Sequence, residues 1–300
     1  MLALLTGLWA GLARLGWDVP LPRPGFSSLH GPLMVSGFLG TLISLERAVA
    51  LGRPWAYAAP LLTGLGGVSL IVGAPLLVAQ WLMLAGSLVL VAIFAAIIRR
   101  HPALYTFTMG GGSLVWALGN LLWCLGWPVF LVVFWWAAFL VVTIAGERLE
   151  LARLQQVTGA AQATFLLLLG ILLTGLLLLG WSFDGGVRLF GLGLAGLALW
   201  LGRHDIARRT VKQAGLTRFI AICLLTGYVW LGISGLSAMW FGGVPVGPQY
   251  DATLHAFFLG FVFAMIFAHA PIIFPAVLGA RMAYRPLFYA HVVLLQVTLA

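Results

Sequence analysis

Uninterrupted apolar runs of roughly 17 to 25 residues recur along the whole chain, the length a helix needs to cross ~30 Å of hydrocarbon. A bilayer admits only helices and closed barrels, because every backbone N–H and C=O must find its partner within the protein. A barrel would show strands of ~10 residues alternating apolar with polar side chains, and the runs here do not alternate. Charged residues make up 8% of the chain and hydrophobic ones 62%, too little polarity to coat a water-facing fold. The sequence therefore reads as all-α, a polytopic transmembrane helical bundle in a lipid bilayer, with residues 1–300 as a single transmembrane domain.

Eleven helices are expected, near 1–17, 28–50, 55–73, 75–98, 103–126, 128–148, 159–181, 186–202, 217–241, 252–278 and 284–300. The first run lacks a small-residue cleavage site and many spans follow it, so it reads as a short helix rather than a removed signal. The net charge of +9 points to no nucleic acid once the cations are placed, because they lie between the spans. The loops after even-numbered helices hold thirteen of the sixteen: Arg47, Arg53, Arg99, Arg100, Arg148, Arg153, Arg203, Arg208, Arg209, Lys212, Arg218, Arg281 and Arg285. Arg14, Arg23 and Arg188 fall on the other side. The positive-inside rule then puts the N-terminus in the cytoplasm, with the protein integral to the inner cell membrane.

Polar groups inside spans carry the most information, since each costs energy unless it has a partner or a ligand. Cys124 and Cys223 fit no disulfide framework or paired metal site and read as packing residues. His101 and His204 sit in loops beside arginines. The other four histidines lie in helices: His30 and His255 at the outer ends of the second and tenth, His269 deeper in the tenth, and His291 in the eleventh. The second and tenth helices run in the same direction, so His30 and His255 share a depth. Two neutral imidazoles at one level can ligate a metal or clamp a haem iron from both sides. His30, Met34 and Gly37 share a helical face at i, i+4 and i+7, where the glycine lets a flat macrocycle or another backbone approach. From spacing alone this stripe reads equally as packing, and His30 equally as an interfacial histidine.

The segment Leu29-His30-Gly31-Pro32-Leu33-Met34-Val35-Ser36-Gly37-Phe38 resembles the second helix of the haem–copper oxidase subunit I superfamily and of the related NnrS family. The stretch Leu254-His255-Ala256-Phe257-Phe258-Leu259-Gly260 is similar to the tenth helix of NnrS-like proteins. The resemblance implies that His30 and His255 are axial ligands of a haem b, with copper as a further metal. It also implies a redox or nitric-oxide-related role served by a quinone or another electron-transfer partner. The oxidase pattern has copper-binding histidines in its sixth and seventh helices and a second haem ligand two residues from the first in its tenth. This chain has no histidine between His101 and His204, and the neighbours of His255 at that spacing are Thr253 and Phe257. A binuclear oxygen-reducing centre is therefore not expected, and at most one haem fits that template.

An internal echo accompanies the resemblance. Gly37 to Glu46 of the second helix aligns with Ala138 to Glu147 of the sixth and with Gly260 to His269 of the tenth, and Arg47 and Arg148 follow the two glutamates. Recurrence every fourth helix matches a pseudo-threefold arrangement of four-helix groups. That plan expects twelve helices and a chain continuing beyond Ala300. In the same register His30 aligns with Thr253, two residues short of His255.

His269 follows His255 by fourteen residues, about 21 Å deeper on nearly the same face, so the two cannot share one ion. A second metal or haem site with His291, a partnership with Glu46 or Glu147, a proton relay, and a structural histidine beside Pro271 and Pro275 are all open for it. Glu46 lies about 160° round the helix from His30. Glu46 and Glu147 therefore read either as interfacial anchors or as parts of a proton or ion pathway on the inner side. Arg23, just outside His30, is a candidate partner for haem propionates or a headgroup contact. Two other readings stand beside the haem protein. One is a transporter or permease with a pathway lined by His and Glu; the other is a copper-binding membrane protein using His30, Met34 and His255.

Overall fold

The computed structural model describes residues 1–152, 158–279 and 283–300, and every regular element among them is helical. The principal helices are α1 (Leu2–Arg14), α2 (Phe26–Leu51), α3 (Pro54–Val72), α4 (Leu76–Arg100), α5 (Leu104–Cys124) and α6 (Val129–Ala152). They continue as α7 (Gly159–Leu178), α8 (Phe183–His204), α9 (Gly215–Phe241), α10 (248–278) and α11 (Phe288–Leu299). A four-residue helical turn, Ala207–Thr210, breaks the segment that the sequence reads as a plain loop. Eight of the helices, α2–α4 and α6–α10, are long and apolar enough to cross a membrane, which makes the chain a polytopic helical membrane bundle. Two of the expected spans are shorter: α1 has 13 residues and α11 has 12, rising ~20 Å each. α5 has the length but carries Thr106, Thr108, Gly110 to Gly112, Ser113 and Asn120, and most of these polar side chains are buried in protein.

Contacts gather the chain into two compact units, Met1–Phe139 and Leu140–Ala300, the division falling inside α6. In the first unit, α1 presents small residues to α2. A Cβ added at Gly7 would meet Met34 Sδ at 2.7 Å, and one added at Gly11 would meet His30 Nδ1 at 2.8 Å. At Gly37 it would meet Ala3 Cβ at 3.4 Å and Gly67 Cα of α3 at 3.5 Å. Ala3, Gly7 and Gly11 thus run antiparallel along Gly37, Met34 and His30, the close approach that small residues permit in lipid.

A buried polar network ties α2, α4, α5 and α6 within this unit. Asn120 Oδ1 accepts from Trp136 Nε1 at 3.0 Å and from Ser36 Oγ at 3.2 Å, while its Nδ2 donates to Met83 O at 3.3 Å. Trp116 Nε1 donates to Ser36 Oγ, and the same indole stacks on Phe139 with centroids 4.7 Å apart. Donors and acceptors that would otherwise be stranded in an apolar interior are satisfied together.

In the second unit, glycines bring α7, α8 and α9 together. A Cβ at Gly175 would run into the Phe190 backbone, and one at Gly191 would lie 2.6 Å from Gly235 O. A clamp holds the α8 N-terminus to the α9 C-terminus. Arg188 Nε donates to Asp184 Oδ2 at 2.8 Å, its Nη1 donates to Met239 O, and Asp184 Oδ1 accepts the Gly243 N–H.

Two helices depart from α geometry. α2 widens to a π-helix over Leu33–Gly40, and α10 does so over Ala256–Phe263. Leu33 and Ala256 are separated by the same 223 residues as Gly37 and Gly260, so the widened turns coincide in the register of the sequence echo. In each a tryptophan ring lies on a bare glycine: Trp116 on Gly40 and Trp230 on Gly260. α6, the third member of the echo, stays α-helical through its equivalent stretch. Further along α10, the helix runs on through Pro271 and Pro275.

Candidate functional site

His30 opens the regular helical part of α2, half-buried, and its ring is held from another helix. Its Nδ1 lies 2.8 Å from Gly7 O of α1. A carbonyl only accepts, so Nδ1 carries the proton and the lone pair sits on Nε2. This is the outer-partner arrangement that orients a ligating imidazole. Because the two ring nitrogens point in roughly opposite directions, the Nε2 lone pair is directed away from α1. His255 is the last residue before the π-helical stretch of α10. A π turn leaves part of the helical ladder re-paired and recurs at functional positions.

The other residues predicted around His30 have structural partners in the first unit. Met34 is buried against Gly7, and Gly37 is met by a backbone, that of Gly67, the second of the two approaches its spacing allows. Arg23 donates from Nη2 to Leu70 O in the last turn of α3, where orphan carbonyls attract cations. Glu46 Oε1 accepts from Arg47 Nη2 at 3.1 Å, and the Arg47 guanidinium lies 5.9 Å from the Phe94 ring centroid.

In the second unit His269 falls into an ionic cluster. Its Nδ1–H donates to Met265 O at 2.6 Å, so Nε2 is again the acceptor. Nε2 lies 3.5 Å from Arg148 Nη2 and 4.0 Å from Glu147 Oε2. Arg148 Nε is 3.9 Å from Asp205 Oδ2. That carboxylate oxygen accepts from Tyr228 Oη at 2.7 Å, while Oδ1 accepts the Ala207 N–H at 2.7 Å. Asp205 thereby holds the first N–H of the Ala207–Thr210 turn. Glu147, one of the partners open to His269 in the sequence, lies beside it. His291 sits among rings, 4.5 Å from Phe267 and 6.1 Å from Phe219 by centroids.

Among the described residues no group of three or more His, Cys, Asp or Glu side chains gathers to hold a metal ion. Asn120, Asp205 and Tyr228, which histidine and glutamate patterns do not single out, are the polar groups on which the two buried networks turn. Asn120 had a signal, as a lone amide in an apolar run. Asp205 had none, because an acid among loop arginines reads as charge balance.

No curated protein and no solved structure matches the chain. One family model matches all of it, residues 1–300, and the chain belongs to that family, described as Domain of unknown function (DUF8744).

Proposed function

We propose that this is a haem-binding integral membrane protein with a redox or nitric-oxide-related role, in which His30 and His255 are the iron ligands of one haem b. The observation that carries the reading is the His30 ring, whose Nδ1–H bond to Gly7 O fixes the tautomer that offers Nε2 to a metal. The π-helical stretches beside His30 and His255 support it, since they give the two candidate ligands a common local setting. When bound, the haem supplies one-electron chemistry at its iron. The chain's own part is to hold the imidazoles: α1 fixes the His30 ring through Gly7 and the space above Gly11. The bilayer is inner membrane and the N-terminus cytoplasmic, on the distribution of arginines. A quinone or a small redox protein is the partner class.

Purified protein made with haem available is expected to give a b-type reduced-minus-oxidised spectrum that is lost in His30→Ala and in His255→Ala while the helical circular dichroism stays. A helical, monodisperse and colourless wild type contradicts the proposal. A second reading, a permease with a His/Glu-lined pathway, is favoured by the cluster of Glu147, Arg148 and His269 within apolar helices. Uptake into proteoliposomes that depends on His269 distinguishes it. Copper held by His30, Met34 and His255 in place of haem is separated by metal analysis.

A further inference from the structure

The cluster in the second unit has an outer and an inner half. Arg148 and Asp205 are sealed, with side-chain exposures of 7% and 1%, whereas His269 and Glu147 are 23% and 18% exposed. Asp205 accepts from the Tyr228 hydroxyl and the Ala207 N–H and lies beside the Arg148 guanidinium. Arg148 Nε nevertheless makes no hydrogen bond among the described residues.

The His269 ring faces two opposite partners through one atom. Nδ1–H is committed to Met265 O, so protonation happens at Nε2. As a neutral acceptor, Nε2 is matched to the Arg148 donor at 3.5 Å; as an N–H⁺ donor it is repelled by Arg148 and matched to Glu147 at 4.0 Å. Both distances are long for hydrogen bonds, so a small rotation closes one contact and opens the other. Helix α9 packs along α10 and carries Arg218, Cys223 and Tyr228, and α11 packs on its π-helical stretch and carries Tyr289 and His291. Tyr228 is committed to Asp205, and His291 is an exposed residue that lies against Phe219 and Phe267.

We infer that Glu147, Arg148, Asp205, Tyr228 and His269 form a proton-binding site in which His269 exchanges Arg148 for Glu147 as its partner when a proton adds to Nε2. The proton comes from hydronium in the adjoining water: one O–H bond breaks there as one N–H bond forms at Nε2, and no bond within the protein breaks. Asp205 and Tyr228 are positioning residues that keep Arg148 in place. The site is built from residues of the second unit and does not require haem.

The test is ¹⁵N-histidine nuclear magnetic resonance of the full chain in lipid nanodiscs, with the His269 signals assigned by their loss in His269→Gln. At high pH, His269 is expected to be the neutral Nδ1–H tautomer, becoming imidazolium as the pH falls within roughly 8 to 5. Glu147→Gln, close in shape to the native residue, removes the carboxylate that stabilises the cation and is expected to lower the midpoint by about one pH unit. Tyr228→Phe keeps the fold's apolar contacts while loosening Asp205, and is expected to move the same midpoint without abolishing the transition. A His269 that stays neutral throughout, a neutral form protonated at Nε2, or a midpoint indifferent to Glu147→Gln overturns the inference.

Discussion

At the scale of single residues, the groups that matter are those an apolar interior cannot ignore. Asn120 satisfies Trp136, Ser36 and Met83 at once. Asn120→Leu keeps the branched shape but strands these partners, and is expected to cost about 2 kcal/mol, read as a lower unfolding midpoint in detergent. Asp205→Ala leaves Arg148 charged and buried without its counterion, with an expected loss of about 3 kcal/mol. Replacing Asp184 on the exposed outer clamp is expected to change the same midpoint far less, since an exposed pair is worth little. If Asp184→Ala proves as damaging as Asp205→Ala, burial is not what sets the cost.

At the scale of elements, hydropathy alone located the helices. Each of the eleven expected segments has its helix, with ends displaced by a few residues, because apolar length is a coarse signal that loop arginines punctuate. The widening of α2 and α10 had no such signal: a π turn inside a uniformly apolar helix changes its hydrogen-bond ladder without changing its composition. The echo between these helices was legible from Gly37 and Gly260, and the shared π register gives it a structural counterpart; α6 shares with both only the phenylalanine and isoleucine, as Phe139 and Ile144, and not the geometry. The stripe of His30, Met34 and Gly37 was legible as a face, yet not as the face that α1 covers, because spacing on one helix does not name its neighbour. Gly11→Ala tests that contact. Its Cβ would crowd His30 Nδ1 at 2.8 Å and turn the ring, so the proposed haem spectrum is expected to weaken or shift while helical content is retained. An unchanged spectrum would mean that α1 does not set the His30 orientation.

At the scale of the whole molecule, composition and the alternation of basic loops dictate a bundle threaded repeatedly through a bilayer. The proposed orientation predicts that reporters fused after Arg100 and after His204 report the cytoplasm, and that those fused after Trp127 and after Trp181 report the opposite side; a reversed pattern contradicts it. The functional account hangs on one haem held by the two histidines that flank the π turns. Its most direct test is the stoichiometry of b-type haem, measured as the pyridine haemochrome of the purified, folded chain. The account predicts about one haem per chain in the wild type and none after His30→Ala or His255→Ala. A folded wild type without haem, or a haem content untouched by both substitutions, contradicts it.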